Sequence, residues 1–147
     1  MWDSLVTEAA AESSLWRDAL RPGPERELAA VFSPLSDPRF ALGLETIYEG
    51  YLVHYGTPRL FAPADPDTAL LLGDYLYAHG LVRIAEVGSV EAVADLAELI
   101  SRCAALRADG SGGDGQAWVE AMRALGGDPD ADALASALAL HCARVAA

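Results

Sequence analysis

Ala69-Leu70-Leu71-Leu72-Gly73-Asp74-Tyr75-Leu76-Tyr77-Ala78 is the stretch that decides the reading of this chain. It sets one glycine and one aspartate inside a long apolar run with helical periodicity. Glycine in a helix interior is worse than alanine by roughly 1 kcal/mol. A carboxylate on an apolar helix needs water or a partner. Two such exceptions side by side point to close contact with a neighbouring helix. The glycine permits the approach and the aspartate bonds across it, with His54 the first partner to expect and His79 the second.

Outward from that stretch, period-3.6 patterning recurs nearly everywhere, while strand alternation and Asn-Gly hairpin turns are missing. Asp65-Pro66 reads as an N-cap with proline in the first turn, so the helix carrying the stretch is expected over 66–87. It is apolar on most sides, which makes it central, and Gly80 either kinks it or accommodates a neighbour. Gly88-Ser89 ends it and caps a helix over 90–108. Upstream, a helix is expected from Ser36 or Asp37 to Tyr55, where Gly43 and Gly50 lie seven apart near one face. A first helix is expected over 2–20 and a short one over 24–32, separated by Arg21-Pro22-Gly23-Pro24. Downstream, 109–115 is a glycine-rich flexible loop. A helix over 116–125 follows, and Asp128-Pro129 starts a last helix running to the C-terminus. The fold class is therefore all-α: one domain over 1–147, a bundle of about six or seven helices.

Bulk properties narrow the function. With 147 residues and 52% hydrophobic content, the chain can bury a sizeable core. The net charge is −12 and every basic residue is arginine, so nucleic acid and anionic membrane surfaces are expected to be repelled. No apolar run approaches the roughly 20 residues of a membrane span. Asp3 and Glu8 near the start do not fit a signal peptide, so a cytoplasmic location is expected. Cys103 and Cys142 match no metal spacing and read as two small buried residues.

Gly56-Thr57-Pro58 followed by Leu71-Leu72-Gly73-Asp74-Tyr75-Leu76-Tyr77-Ala78 resembles the middle of the trans-isoprenyl (polyprenyl) diphosphate synthases. Those enzymes carry a Gly-x-Pro loop and then a helix of the form Leu-x-Gly-Asp-Tyr/Phe-Leu-x-Ala. With weaker likeness on either side, the resemblance covers 42–106. It implies half of an isoprenoid-synthase fold. It does not imply the family's reaction, which needs magnesium held by two Asp-rich motifs. Tyr55 and Gly56 follow His54 where the first aspartate pair would stand, and an ungapped alignment puts Glu45 and Glu49 at that motif's ends. Asp128-Pro129-Asp130-Ala131-Asp132 reads as a helix N-terminus rather than the second motif.

Candidate site residues follow. Glu45 and Glu49 are i, i+4 on one helix, which makes them weak candidates for a metal site and equally a solvated face or an arginine salt bridge. Tyr48, Tyr51, Tyr55, Tyr75 and Tyr77 are concentrated on two helices. Together with His54 and Asp74, Tyr48, Tyr51, Tyr55 and Tyr75 could line an apolar pocket with polar tips, or they pack as core. No catalytic residue and no cofactor is expected. The leading expectation is a non-catalytic protein working by helix–helix association, as a homodimer or as the small partner of a larger subunit. A binder of a prenyl or other apolar molecule in the tyrosine pocket is the second, and a residual metal-dependent prenyl diphosphate enzyme the third.

Overall fold

The glycines of two helices set the architecture. The computed structural model describes residues 1–145, with seven α-helices and no strand among them: α1 Trp2–Glu12, α2 Ser14–Ala19, α3 Ala41–Tyr55, α4 Pro66–Glu86, α5 Val90–Ala108, α6 Asp114–Ala124 and α7 Ala131–Val145. This is the all-α bundle that the periodicity predicts. α3 and α4 run antiparallel and touch backbone to backbone. A Cβ added at Gly43 would lie 3.2 Å from the Gly80 carbonyl oxygen, and one added at Gly50 would lie 3.0 Å from that of Gly73. α4 continues unbroken through Gly80, whose missing side chain is replaced by Ile47 of α3.

Caps explain most of the boundaries. Asp65 accepts from the Thr68 N–H at 2.8 Å and Ser89 from that of Ala92 at 3.0 Å, which fixes the starts of α4 and α5 where the sequence puts them. Ser13 has extended backbone and accepts from the Leu15 N–H, so the helix expected over 2–20 is split into α1 and α2. Asp37 caps a 3₁₀ turn, Pro38–Phe40, and α3 starts only at Ala41. Asp130 rather than Asp128 caps α7, accepting from the Ala133 N–H. The glycine-rich loop is shorter than expected, because Asp114 and Gly115 already belong to α6. The predicted continuation of α7 beyond 145 lies outside the described residues.

The helix expected over 24–32 does not form. After a 3₁₀ turn at Gly23–Glu25 the chain is an extended strap whose end, Val31 and Phe32, plugs the core. Tertiary hydrogen bonds replace the helical ones: the Glu27 N–H donates to the Arg59 carbonyl at 3.1 Å, and the Ala29 carbonyl accepts from Arg59 Nη1 at 2.8 Å.

Two apolar clusters flank α3 and α4. The larger gathers residues of α3, α5, α6 and the strap around Trp118, Phe32 and Tyr48. The smaller holds α1 and α2 against Leu60, Phe61, Leu72 and Leu76. Arg59, fully buried, joins them, its guanidinium 4.9 Å from the Trp2 ring centroid and 5.1 Å from that of Tyr48. It donates to Glu45 Oε2 at 2.5 Å and to Glu49 Oε1 at 3.1 Å. Glu49 also accepts the backbone N–H groups of Arg59 and Leu60. Removing one member of such a buried group leaves uncompensated charge, at a cost of about 3–5 kcal/mol. Arg59→Met is expected to lose that much in chemical denaturation. A loss no larger than about 1 kcal/mol, typical of exposed ion pairs, would contradict the burial of this group.

Candidate functional site

Two regions hold the residues that the sequence singles out: the crossing of α3 with α4, and the core beneath α7. At the crossing, His54 Nε2 lies 3.2 Å from Asp74 Oδ1, the expected pairing. The His54 ring also covers Gly73, where a Cβ would approach its atoms closer than 3.0 Å. His54 is largely buried and Asp74 mostly exposed, so the contact is screened and modest. His79 turns away from Asp74 to pair with Glu8 of α1, which Arg83 also holds. The partner at the crossing is therefore His54.

Glu45 and Glu49 do share a face, but it is neither solvated nor open to a cation. Both are buried, and the guanidinium of Arg59 lies against both carboxylates. That corrects the metal candidacy: a hard cation needs carboxylate oxygens, and here the arginine and two backbone N–H groups take them. No group of three or more His, Cys, Asp or Glu among the described residues is arranged to hold a metal ion.

Of the two readings of the tyrosines, core packing is the one that Tyr48 and Tyr51 follow. Tyr48 and Tyr51 are buried in the larger cluster and stack on each other at 5.7 Å between centroids, with Trp118 edge-on to both. Their rings fill the space they were expected to line. Burial raises both phenol pKa values well above the usual range. Tyr55 packs edge-on against Tyr51 at the margin of that cluster. Tyr75 faces the other way, stacked between Trp16 at 5.4 Å and His79 at 5.4 Å. The hydroxyls of Tyr48 and Tyr51 reach residues the sequence reading passed over. Tyr48 bonds to His141 Nδ1 at 2.9 Å, and Tyr51 donates to Asp114 Oδ2 at 2.5 Å. Arg107 Nε donates to the same Asp114 oxygen at 2.7 Å. His141 had a signal: Leu134, Leu138, His141 and Val145 recur at helical spacing on α7. Cys103 is buried as expected, its thiol pushed up to about 12 by that burial, whereas Cys142 is exposed.

The outward faces of α4 and α5 are the other notable feature. On α4 the exposed row is Leu71, Asp74, Ala78, Val82 and Ala85, with Leu71 and Val82 each more than half exposed. On α5 the row Val90, Ala94, Ala97, Ser101, Ala104 and Ala108 is exposed and carries no charge. Where the two helices meet, Ala85, Val90 and Val93 line a shared apolar cleft of about 340 Å³. A surface helix ordinarily turns charge outward. Here four of the charges of α5, Glu91, Asp95, Glu98 and Arg102, lie to one side of the row and Arg107 to the other.

Compared with family models, curated proteins and solved structures, the chain matches none. The likeness to the isoprenyl diphosphate synthases thus rests on its motif alone.

His141 yields a pH prediction. Burial lowers its pKa, so it stays neutral in the fold at pH values where the unfolded chain has taken up the proton. Stability from this group is complete above the unfolded value of about 6.5 and is lost as pH falls through the lower folded value. Denaturation from pH 7 to 5 is expected to show stability declining, with a shallower decline in His141→Gln. Equal slopes in the two proteins would contradict the assignment.

Proposed function

We propose that this is a non-catalytic helical protein that acts by helix–helix association, using the outward faces of α4 and α5 against a second copy of itself or a larger subunit. The observation that carries the reading is the uncharged exposed row on α5 beside Leu71, Ala78, Val82 and Ala85 of α4, a row that Asp74 alone interrupts with a charge. Contiguous exposed apolar surface of this kind marks interaction sites on soluble proteins. The small side chains suit a closely approaching helix. Support also comes from the carboxylates that would have been the metal ligands, since Glu45 and Glu49 are engaged by Arg59 in building the fold. As an inherited isoprenoid-synthase half-fold, the chain would keep the family's helical frame and use it for assembly.

Sedimentation velocity tests this. The purified protein is expected to sediment as a dimer at micromolar concentration or with a co-purifying subunit. Val82→Glu together with Ala97→Glu, both exposed positions, is expected to weaken the association at least about tenfold without lowering the melting temperature. A clean monomer at about 100 μM with no bound protein would sink the proposal.

A further inference from the structure

The unpaired charges that border the α4–α5 face are all of one sign. On the α5 side, Glu91, Asp95 and Glu98 run along the edge of the uncharged row. On the α4 side, Glu8 and Glu12 are i, i+4 on α1, and Glu8 pairs with His79 of α4. Glu86 stands seven residues beyond His79, nearly two helical turns, and so lies on that same side. Glu12, Glu86, Glu91, Asp95 and Glu98 have no ion-pair partner among the described residues. The three arginines of α4 and α5 are already engaged: Arg83 with Glu8, Arg102 with Glu120 and Arg107 with Asp114. An apolar strip therefore runs between two edges of unpaired carboxylates, with Asp74 inside it. Val90, 83% exposed, and the cleft it shares with Ala85 and Val93 stand at one end of the strip.

We infer, on the footing of the association proposed above, that the partner at this face is a different and basic chain: a helix with a small aliphatic ridge flanked by arginine or lysine. Two-fold association of this chain would set the same patch against itself. Carboxylate edges would then meet carboxylate edges, with the arginines of α4 and α5 already engaged. Like charges facing each other across an interface oppose association, and the net charge of −12 on each copy acts in the same direction. A helix with an alanine and leucine ridge instead meets the row on α5 and Leu71 and Val82 on α4 in apolar contact. Its basic flanks meet the unpaired carboxylates on either side. Nucleic acid and anionic membranes would be repelled by those same edges.

Isothermal titration of the full chain with two synthetic helical peptides tests this. Both carry the same alanine and leucine ridge, flanked by arginine in one and by glutamate in the other. The arginine peptide is expected to bind saturably and more weakly as salt rises, and the glutamate peptide at least about tenfold more weakly than the arginine one. Val82→Glu together with Ala97→Glu is expected to abolish binding of the arginine peptide. That variant adds negative charge, so bulk attraction alone would tighten binding instead. Glu91→Gln together with Glu98→Gln, at exposed positions, keeps the apolar strip and is expected to weaken the arginine peptide about threefold. It reads the edge separately should the first variant fail to fold. No binding of the arginine peptide, equal binding of the glutamate peptide, or binding undiminished in both variants would each overturn the basic partner. A dimer through α4 and α5 that neither peptide displaces would also overturn it while leaving the association in place. A clean monomer that carries no other protein and binds neither peptide would remove both.

Discussion

The structure depends on how closely α3 and α4 approach. Gly43 and Gly50 on one helix face Gly80 and Gly73 on the other, each pair of glycines seven residues apart. Seven residues are nearly two helical turns, so the glycines recur on one face and the two antiparallel backbones touch at two levels. Side chains then fit around the contacts rather than between them. Ile47 occupies the space at Gly80, Ile84 the space at Gly43, and the His54 ring lies on Gly73. This brings Asp74, the next residue, within reach of His54. The oddity of a glycine and an aspartate in an apolar helix is thus one feature: the contact needs the first and positions the second.

Close packing of α3 on α4 leaves the remainder of α3 to organise the other elements, and there the controlling interaction is electrostatic. Arg59 follows the loop after α3 back to the helix it has just left, meeting Glu45 and Glu49 in a site with no exposure. The same guanidinium binds the strap through Ala29 and lies against Trp2 of α1. One buried cation so touches the N-terminal helix, the strap, the loop and the central helix. Buried ion groups are poor sources of net stability, but their demand for specific partners disfavours alternative arrangements of these four segments. The carboxylates are spent in the process, which removes the part of the chain most suggestive of metal chemistry.

The sequence was most legible where signals are local. α4 and α5 are set by Asp65, Pro66, Gly88 and Ser89 through capping, and their limits fall where those residues imply. The paired Glu45 and Glu49 were readable as a shared face. Their partner was not, because Arg59 sits in a loop with no periodicity to announce it. The strap at 26–32 reads as helix because local preference knows nothing of Arg59, which takes its backbone hydrogen bonds. The tyrosines show the same limit from the side of packing. Their clustering on two helices implies that the rings are close, and it is silent on whether they enclose space or fill it. His141 and Asp114 were obscured by their neighbours, an adjacent cysteine and a glycine-rich loop, although both are partners of core tyrosines.

Gly80→Ala gives the most direct test of the central contact, because the two explanations of that glycine predict opposite signs. If Gly80 were only an imperfect helix former, alanine would stabilise the protein by up to about 1 kcal/mol. Close approach predicts the reverse: the new methyl meets Ile47 and the Gly43 carbonyl, and overpacking is expected to cost about 1–3 kcal/mol. Equilibrium denaturation of the two proteins measures the difference. A destabilised variant is the expected result, and an alanine protein as stable as the parent, or more so, would contradict the backbone contact on which this architecture rests.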